Sequence, residues 1–295
     1  MLISAADLPA GAPIQAFTKM HACGNDFIII DDRSEHWRGR ESALARLLCQ
    51  RRTALGADGL LLLRAGDQPD EFGMVFVNAD GLIGEMCGNG ARCLAAFICR
   101  AGLARRHLTL RTPAGQVSVR FADIEHIVLD LPPAGTLRTD IAIRWGDADW
   151  YFDALDVGAP HAVCIVRDRV ALAAVPVHQL GHYARHHAYF APRGCNINFI
   201  AHGDDRLYLR TYERGVEAET LGCGTGATAA ALVAQRRFGL TAPIEVVTSS
   251  GESVHVNADR ERGLLQLTGG AHFVADGTIS PALLAALAPA AERTA

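Results

Sequence analysis

Short runs that alternate apolar and polar residues recur along the chain. HLTLRT (107–112), QVSVRF (116–121) and HIVLDL (126–131) do so in one region, and IEVVTS (244–249), ESVHVN (252–257) and LLQLTG (264–269) in another. A period of two puts successive side chains on opposite faces, so each run predicts a strand with one face on a core. GMVFVNADG (73–81) and RLYLRTYERG (206–215) are β-branched and aromatic and end in turn residues, predicting strands that run into loops. Two segments follow a different rule. ARCLAAFICRAG (91–102) and GATAAALVAQRRFG (226–239) are apolar nearly all round. A helix with no polar face belongs inside something. Buried helices among many short strands predict a sheet curled around each helix.

The two regions are copies of one pattern. CGNGARCLAAFICRAGL (87–103) aligns with CGTGATAAALVAQRRFGL (223–240), the leading cysteines standing 136 residues apart. Thr112 and Thr248, and Gly115 and Gly251, share that offset, and NADGLIGEMCGNG (78–90) aligns with RGVEAETLGCGTG (214–226) in the same register. One offset carrying three blocks without a gap predicts two homologous halves. The fold expected is therefore α/β (α+β) with two pseudosymmetric domains, each a curled mixed or antiparallel sheet around a central buried helix. The seam falls in the Pro- and Gly-rich LPPAGTLRTD (131–140). The expected domains are 1–132 plus 268–295, carrying Cys87, and 133–267, carrying Cys223. The tail SPALLAALAPAAERTA predicts a last helix that returns to the first half. The first 13 residues suggest no role.

Composition narrows the function. About half the residues are hydrophobic, a fifth are charged, and the net charge is −4 with both signs spread along the chain. No basic tract points to nucleic acid, and no apolar run is long enough to span a bilayer. The start of the chain carries no pattern of a secretory leader. None of the eight cysteines forms a C-x-x-C pair, which disfavours zinc, and scattered thiols fit a reducing cytoplasm. HQLGHYARHHAYF (178–190) holds four histidines, but their spacing is no recognised ligand pattern; it predicts a helix face rather than a metal site.

The cysteine-led glycine loops carry the chemistry. The first N–H groups of a helix point outward with partial positive charge, and glycine lets a ligand approach them closely. Each Cys-Gly-x-Gly turn thus predicts an anion cradle. The same field is expected to lower the pKa of the adjacent cysteine and make thiolate accessible near neutral pH. No lysine follows either loop, so a phosphate-binding P-loop is disfavoured. Two matched thiols flanking one carbon suit inversion at a carbon bearing hydrogen: one removes the proton, the other returns a proton to the opposite face. Pyridoxal phosphate needs a Schiff-base lysine, and Lys19, the only lysine, lies before the first repeat block. A cofactor-independent reaction is expected, with neither cofactor nor metal.

FTKMHACGNDFIIID (17–31), NADGLIGEMCGNGARC (78–93), VGAPHAV (157–163), CNINF (195–199) and YERGVEAETLGCGTGA (212–227) occur in the order seen in the diaminopimelate epimerase family, which the chain resembles from about residue 14 to 275. The resemblance implies an active site in the cleft between the two domains. It implies interconversion of LL- and meso-2,6-diaminopimelate in lysine and peptidoglycan biosynthesis, and a homodimer. By position, Cys87 and Cys223 would be the catalytic base and acid. Gly88, Asn89, Gly224 and Thr225 would cradle the carboxylate at the reacting carbon. His161 and Glu213 match residues that support the thiols, and Asn25, Asn78, Asn196 and Arg214 match substrate-binding positions. Asn25 and Asn78 also sit where turns favour asparagine, His161 also reads as a satisfied core histidine, and Arg214 as a surface ion pair.

Three departures touch substrate recognition. Ala159 stands where many members have Asn, Ala22 and Cys23 stand where Gly and Leu are usual, and VEAET is one residue longer than the common form. A cofactor-independent racemase of another amino acid on the same scaffold is the alternative. A thiol redox sensor or small-anion-binding protein is the alternative from a different class.

Overall fold

The structure is a computed structural model that describes residues 15–259 and 263–287. In the first half, β1 (Gln15–Ala22) and β2 (Asn25–Asp31) precede helix α1 (Glu41–Leu48). Strands β3 (Gly59–Ala65), β4 (Glu71–Asn78) and β5 (Ile83–Gly84) lead into α2 (Gly88–Arg100), and β6 (His107–Thr112), β7 (Gly115–Phe121) and β8 (Ile127–Asp130) follow. The second half begins with β9 (Arg138–Trp145), β10 (Ala148–Asp156) and β11 (Pro160–Ile165), then α3 (Arg169–Ala174) and α4 (Val177–Arg185). Next come β12 (Asn196–Gly203), β13 (Arg206–Glu213), β14 (Ala218–Thr220) and α5 (Gly224–Phe238), followed by β15 (Ile244–Val247), β16 (Ser253–Asp259) and β17 (Leu264–Gly269). Strand β18 (His272–Ile279) and the short α6 (Pro281–Leu284) end the described chain.

The strand pairings read nearly the same from either end. One half runs β18-β1-β2-β3-β4-β6-β7-β8, with β2–β3 and β4–β6 parallel. The other runs β9-β10-β11-β12-β13-β15-β16-β17, with β11–β12 and β13–β15 parallel. The small strands β5 and β14 attach to β4 and β13. The halves join where β8 and β17 pair antiparallel. One strand crosses this seam: β9 follows β8 and opens the second half on β10, whereas β18 follows β17 yet pairs with β1 of the first half.

Each half wraps its sheet around one helix, as the apolar segments predicted. Ala91, Cys93, Leu94, Ala95, Ala96 and Ile98 of α2 are buried, as are residues 226–234 of α5. Both helices begin earlier than the apolar pattern alone suggested, because the glycines after each cysteine already form the first turn. At the seam, Leu129 of β8 lies opposite Leu267 of β17, and both are fully buried. The Leu267 Cδ2 methyl sits 2.9 Å from where a Cβ would stand on Gly224 and 3.6 Å from one on Gly88. One side chain is thus wedged between the starts of both central helices.

Two further expectations meet the structure here. Leu283, Leu284 and Leu287 pack with Ile28, Ile30 and Leu60 of the first half, so the described part of the tail returns as expected. Residues 288–295 and the first 13 residues lie outside the described set. The histidine-rich stretch is only partly a helix face: α4 carries His178 and His182, His186 is its C-cap, and His187 lies beyond it.

Leu267→Ala should therefore destabilise the protein by about 2–5 kcal/mol, the range for emptying a packed leucine site. Urea unfolding measures it. A loss below about 1 kcal/mol, typical of unremarkable positions, would show that the wedge between the helix starts carries no weight.

Candidate active site

Cys87 and Cys223 are the N-caps of α2 and α5, both with extended backbone. Each sulfur accepts the N–H three residues on: Gly90 N at 3.4 Å for Cys87 Sγ, and Gly226 N at 3.3 Å for Cys223 Sγ. Glycine is required at the second of these positions, since a Cβ on Gly226 would lie 2.5 Å from Asn198 Oδ1 and 3.3 Å from Cys223 Sγ. The N–H groups of Gly88, Asn89, Gly224 and Thr225 head their helices and have no intrahelical acceptor.

The two helix starts are tied to each other. Asn89 Nδ2 donates to Gly222 O at 2.8 Å, so a side chain from the first mouth holds the loop leading into the second. Asn25 Oδ1 lies 3.5 Å from Asn89 Nδ2 and 3.8 Å from Cys87 Sγ, while the Asn25 amide donates to Asp58 Oδ2 at 2.9 Å. Thr225 Oγ1 is 3.5 Å from Cys223 Sγ. Cys23 adopts a left-handed conformation at φ 52°, and a Cβ on Gly222 would stand 2.5 Å from its own. The β1–β2 turn therefore presses on the second loop from the first half.

The polar residues of the second half form a connected set. His161, on β11, is buried, and its Nδ1 faces Asn198 Nδ2 at 3.1 Å. Asn198 is oriented by Thr211 Oγ1, which donates to its Oδ1 at 2.9 Å, and by Ala162 O, which accepts from its amide at 3.1 Å. His161 Nδ1 is therefore the acceptor, which assigns the proton to Nε2. Asn196 Nδ2 is 3.4 Å from that Nε2, and Asn196 Oδ1 accepts Arg214 N at 2.8 Å. Glu213 Oε2 accepts from Thr220 Oγ1 at 2.9 Å. Among the described residues, no carboxylate lies within ion-pair distance of the Arg214 guanidinium, so the surface ion pair weighed for it does not form. Asn78 differs from the rest: its amide donates to Leu82 O at 3.2 Å and closes the 78–82 turn, as its turn-favouring position allowed.

Burial reverses one expectation. Desolvation pushes the Cys87 thiol up to about 11, against the lowering effect of the Gly90 N–H, and Glu213 nearby adds to the rise. Cys223 is pushed up further, by desolvation first and then by Glu213, with Cys87 also opposing its ionisation. The helix-mouth N–H groups act in the expected direction, but the loss of water outweighs them, so both thiols are neutral at pH 7 in this unliganded state. Desolvation lowers His161 to about 3, with Arg214 adding to it, so its imidazole is neutral too. Glu213 is raised to about 7 by desolvation, which the Thr220 hydrogen bond only partly offsets.

Arg92 was not singled out from the sequence. It is fully exposed to protein and not at all to solvent. Its Nη2 donates to Asn89 Oδ1 at 2.8 Å and approaches Cys23 Sγ at 3.5 Å, and its Nε donates to Gly270 O at 3.1 Å. Nη1 has no partner, and it would lie 3.7 Å from a Cβ on Gly224. No carboxylate pairs with it among the described residues. A buried guanidinium without an anion is costly to maintain. The available signal was an arginine in the first turns of an otherwise apolar stretch, 91–99, matched in the second copy by Thr228. Among the described residues, no cluster of three metal-ligating groups includes either thiol.

The chain is similar to known proteins over most of its length. A model of the family described as diaminopimelate epimerase matches residues 17–135 and 154–274. The diaminopimelate epimerase of Hydrogenobaculum sp. (strain Y04AAS1) is 35% identical over 260 residues, covering 84% of this chain and 93% of the relative. That of Aquifex aeolicus (strain VF5) is 36% identical over 281 residues, covering 91% and 99%. Among solved structures, a phenazine biosynthesis protein of the PhzF family from Bacillus anthracis superposes with a TM-score of 0.71 at 12% identity, covering 90% of this chain and 99% of that one. A probable proline racemase from Agrobacterium radiobacter superposes with a TM-score of 0.67 at 16% identity, covering 89% and 92%. At such identities the structures speak for the fold alone. The sequence matches span both halves, and the chain belongs to the diaminopimelate epimerase family.

Proposed function

We propose that this protein is a cofactor-independent two-base epimerase that interconverts LL- and meso-2,6-diaminopimelate in the cytoplasm, on the route to lysine and peptidoglycan. The observation that carries the reading is the pair of cysteine-capped helix starts held together by Asn89 at one seam. The family membership and the named relatives support the substrate.

The substrate carboxylate at the reacting carbon lies between the two mouths, against the N–H groups of Gly88, Asn89, Gly224 and Thr225. Abstraction of the α-proton places a second negative charge on that carboxylate. Helix-mouth dipoles already aimed at it, together with the buried Arg92 cation behind Asn89, stabilise the developing dianion without reorganising. This is a role for a guanidinium that otherwise lacks an anion. The Arg214 guanidinium, likewise without a carboxylate partner, suits a carboxylate at the other end of the substrate. Asn196 fixes the Arg214 backbone.

The proton balance is closed. One cysteine acts as thiolate, takes the α-proton and becomes a thiol. The other, a thiol, delivers its proton to the opposite face and becomes a thiolate. The reverse reaction exchanges the roles, so no net proton is gained or lost. With both thiols raised in the unliganded state, the reactive thiolate forms only as substrate binds: the substrate's ammonium group favours it, and the thiol's proton passes to solvent before the first α-proton is taken. Glu213 opposes ionisation of both sulfurs, so its protonated form favours the thiolate.

Cys87→Ala and Cys223→Ala should each lower epimerisation of LL-diaminopimelate by orders of magnitude, at least about 10³-fold, since each removes one face's proton carrier. A stereochemical assay with LL- and meso-diaminopimelate beside single-centre amino acids tests activity and substrate together. Near-normal turnover in either variant sinks the two-thiol scheme, and equal turnover on a single-centre amino acid removes the diaminopimelate assignment. Arg92→Met, if the variant folds, should lower kcat far more than it raises KM, because the charge it answers develops only in the transition state. Arg92→Lys should recover part of the loss, and a pure KM effect would refute the role.

Glu213 adds a stability signature. Its folded-state pKa of about 7 exceeds the ordinary carboxyl value. The fold therefore holds the proton more tightly than the unfolded chain does. That contribution is complete below the ordinary Glu pKa and is lost as pH rises through about 7. Glu213→Gln should accordingly gain stability relative to the parent between about pH 5 and pH 8, by on the order of 2 kcal/mol. Urea midpoints across that range read it out, and a pH-independent difference would contradict the raised carboxyl.

A further inference from the structure

The histidines of α4 acquire a partner that the sequence does not place beside them. His182 and His186 stand four residues apart, His182 on the helix and His186 at its C-cap, with ring centroids 4.6 Å apart. Glu217 reaches them from the turn after β13, in a left-handed conformation at φ 57°. One ligand atom from each of the three lies within 4.8 Å of the others. Both histidines are exposed and Glu217 is half-buried, so an ion has access from solvent.

The surrounding hydrogen bonds orient these groups as a metal site does. His186 Nδ1 is 3.0 Å from the carbonyl oxygen of His182, so that nitrogen carries the proton and Nε2 keeps a lone pair. Tyr212 O–H donates to Glu217 Oε2 at 3.2 Å. Its oxygen therefore accepts from His182 Nδ1, 3.1 Å away, which again leaves the Nε2 lone pair. Ligating histidines commonly give their other N–H to a carbonyl or to a chain ending in a carboxylate. Here a backbone carbonyl holds one ring, and a tyrosine that also contacts the third ligand holds the other. Glu217 Oε1 accepts from Arg185 Nε at 2.6 Å and from Gly215 N at 2.9 Å. The Arg185 cation answers the Glu217 charge, and Oε2, which has Tyr212 as its one donor, has room for a further partner.

We propose that His182, His186 and Glu217 bind one divalent late transition-metal ion of the Zn2+ or Ni2+ class. Two imidazoles and a carboxylate are a donor set that zinc takes, with water completing the coordination. Ligand atoms about 2.0–2.2 Å from one ion stand closer together than they do here, so the exposed side chains rotate inward on binding. The ion fastens α4 to the turn 213–217, which Glu217 N closes on Glu213 O at 2.9 Å. It thereby clamps the loop carrying Glu213 and Arg214 from outside the thiol site. The proposal needs nothing from the thiol chemistry.

The test is equilibrium dialysis of the full, tag-free chain against Zn2+ alone, with thermal unfolding of the same samples. The parent should retain one ion per chain that His182→Gln/His186→Gln does not, and its melting temperature should rise with Zn2+ while that of the double variant stays unchanged. Glu217→Gln should weaken binding, and Tyr212→Phe should weaken it by about 10-fold through the lost orientation of His182. Co2+ in place of Zn2+ separates this site from the cysteines, since a sulfur-bound cobalt shows an intense near-ultraviolet band and a histidine–carboxylate site does not. Equal retention by the double variant, or a sulfur band accounting for all the bound cobalt, overturns the proposal.

Discussion

The antiparallel pairing of β8 with β17 is the constraint from which the rest of the molecule follows. It sets Leu129 against Leu267, and Leu267 against the first glycine of each central helix. A helix start is a strongly directional object, with N–H groups that cannot be satisfied from within. Two such starts meeting at one seam would repel without an acceptor between them. The chain answers in part with sulfur, which accepts one N–H at each mouth, and with Asn89, which links the mouths. The remaining N–H groups point where an anion fits.

The same seam creates the electrostatic tension of the site. Enclosing two thiols makes them poor acids, as their raised pKa values show. Enclosing Arg92 beside them adds a cation with no counterion in the described structure. Empty, the site holds surplus positive potential and neutral sulfurs. A bound carboxylate answers that surplus, which by itself makes thiolate harder to form, so the charge that lowers the cost of ionising a sulfur is the substrate's ammonium group. Desolvation, which holds both thiols neutral, thus makes their activation depend on the charge a ligand brings. His161, held neutral and fixed by Asn198, adds no further charge.

Much of the architecture was legible before any coordinate. The period-two runs 107–112 and 116–121 are strands, as is 244–247 of the run 244–249, because alternation matches a sheet face directly, and the offset between Cys87 and Cys223 exposed the duplication. Cys87 and Cys223 were legible as residues at helix starts, where the structure places them, while Asn89 and Thr225 came from the family resemblance. What stayed hidden depends on distance in space. The thiol acidity was misjudged because a sequence shows the helix dipole but not the exclusion of water. Asn198, which selects the His161 tautomer, looks in the sequence like any polar residue of a strand. Glu217 lies 31 residues from His186, and no spacing rule brings them together. Asn78 was readable in both senses, and its hydrogen bond to Leu82 fulfils the turn reading.

The placement of the end strands has a consequence for how such a chain can be assembled. β9 opens the second half beside β10, and β18, after the last strand of that half, returns to pair with β1, joining Gln15 to Ile279. The second half is one contiguous segment from β9 to β17, whereas the first half takes its outer strand from the far end of the chain. During synthesis the earliest strand waits for almost the whole polypeptide to leave the ribosome before its outer edge is covered. The topology is the one that two identical subunits swapping a terminal strand would have if they were fused end to end, so the duplication is recorded in the wiring as well as in the repeated cysteines.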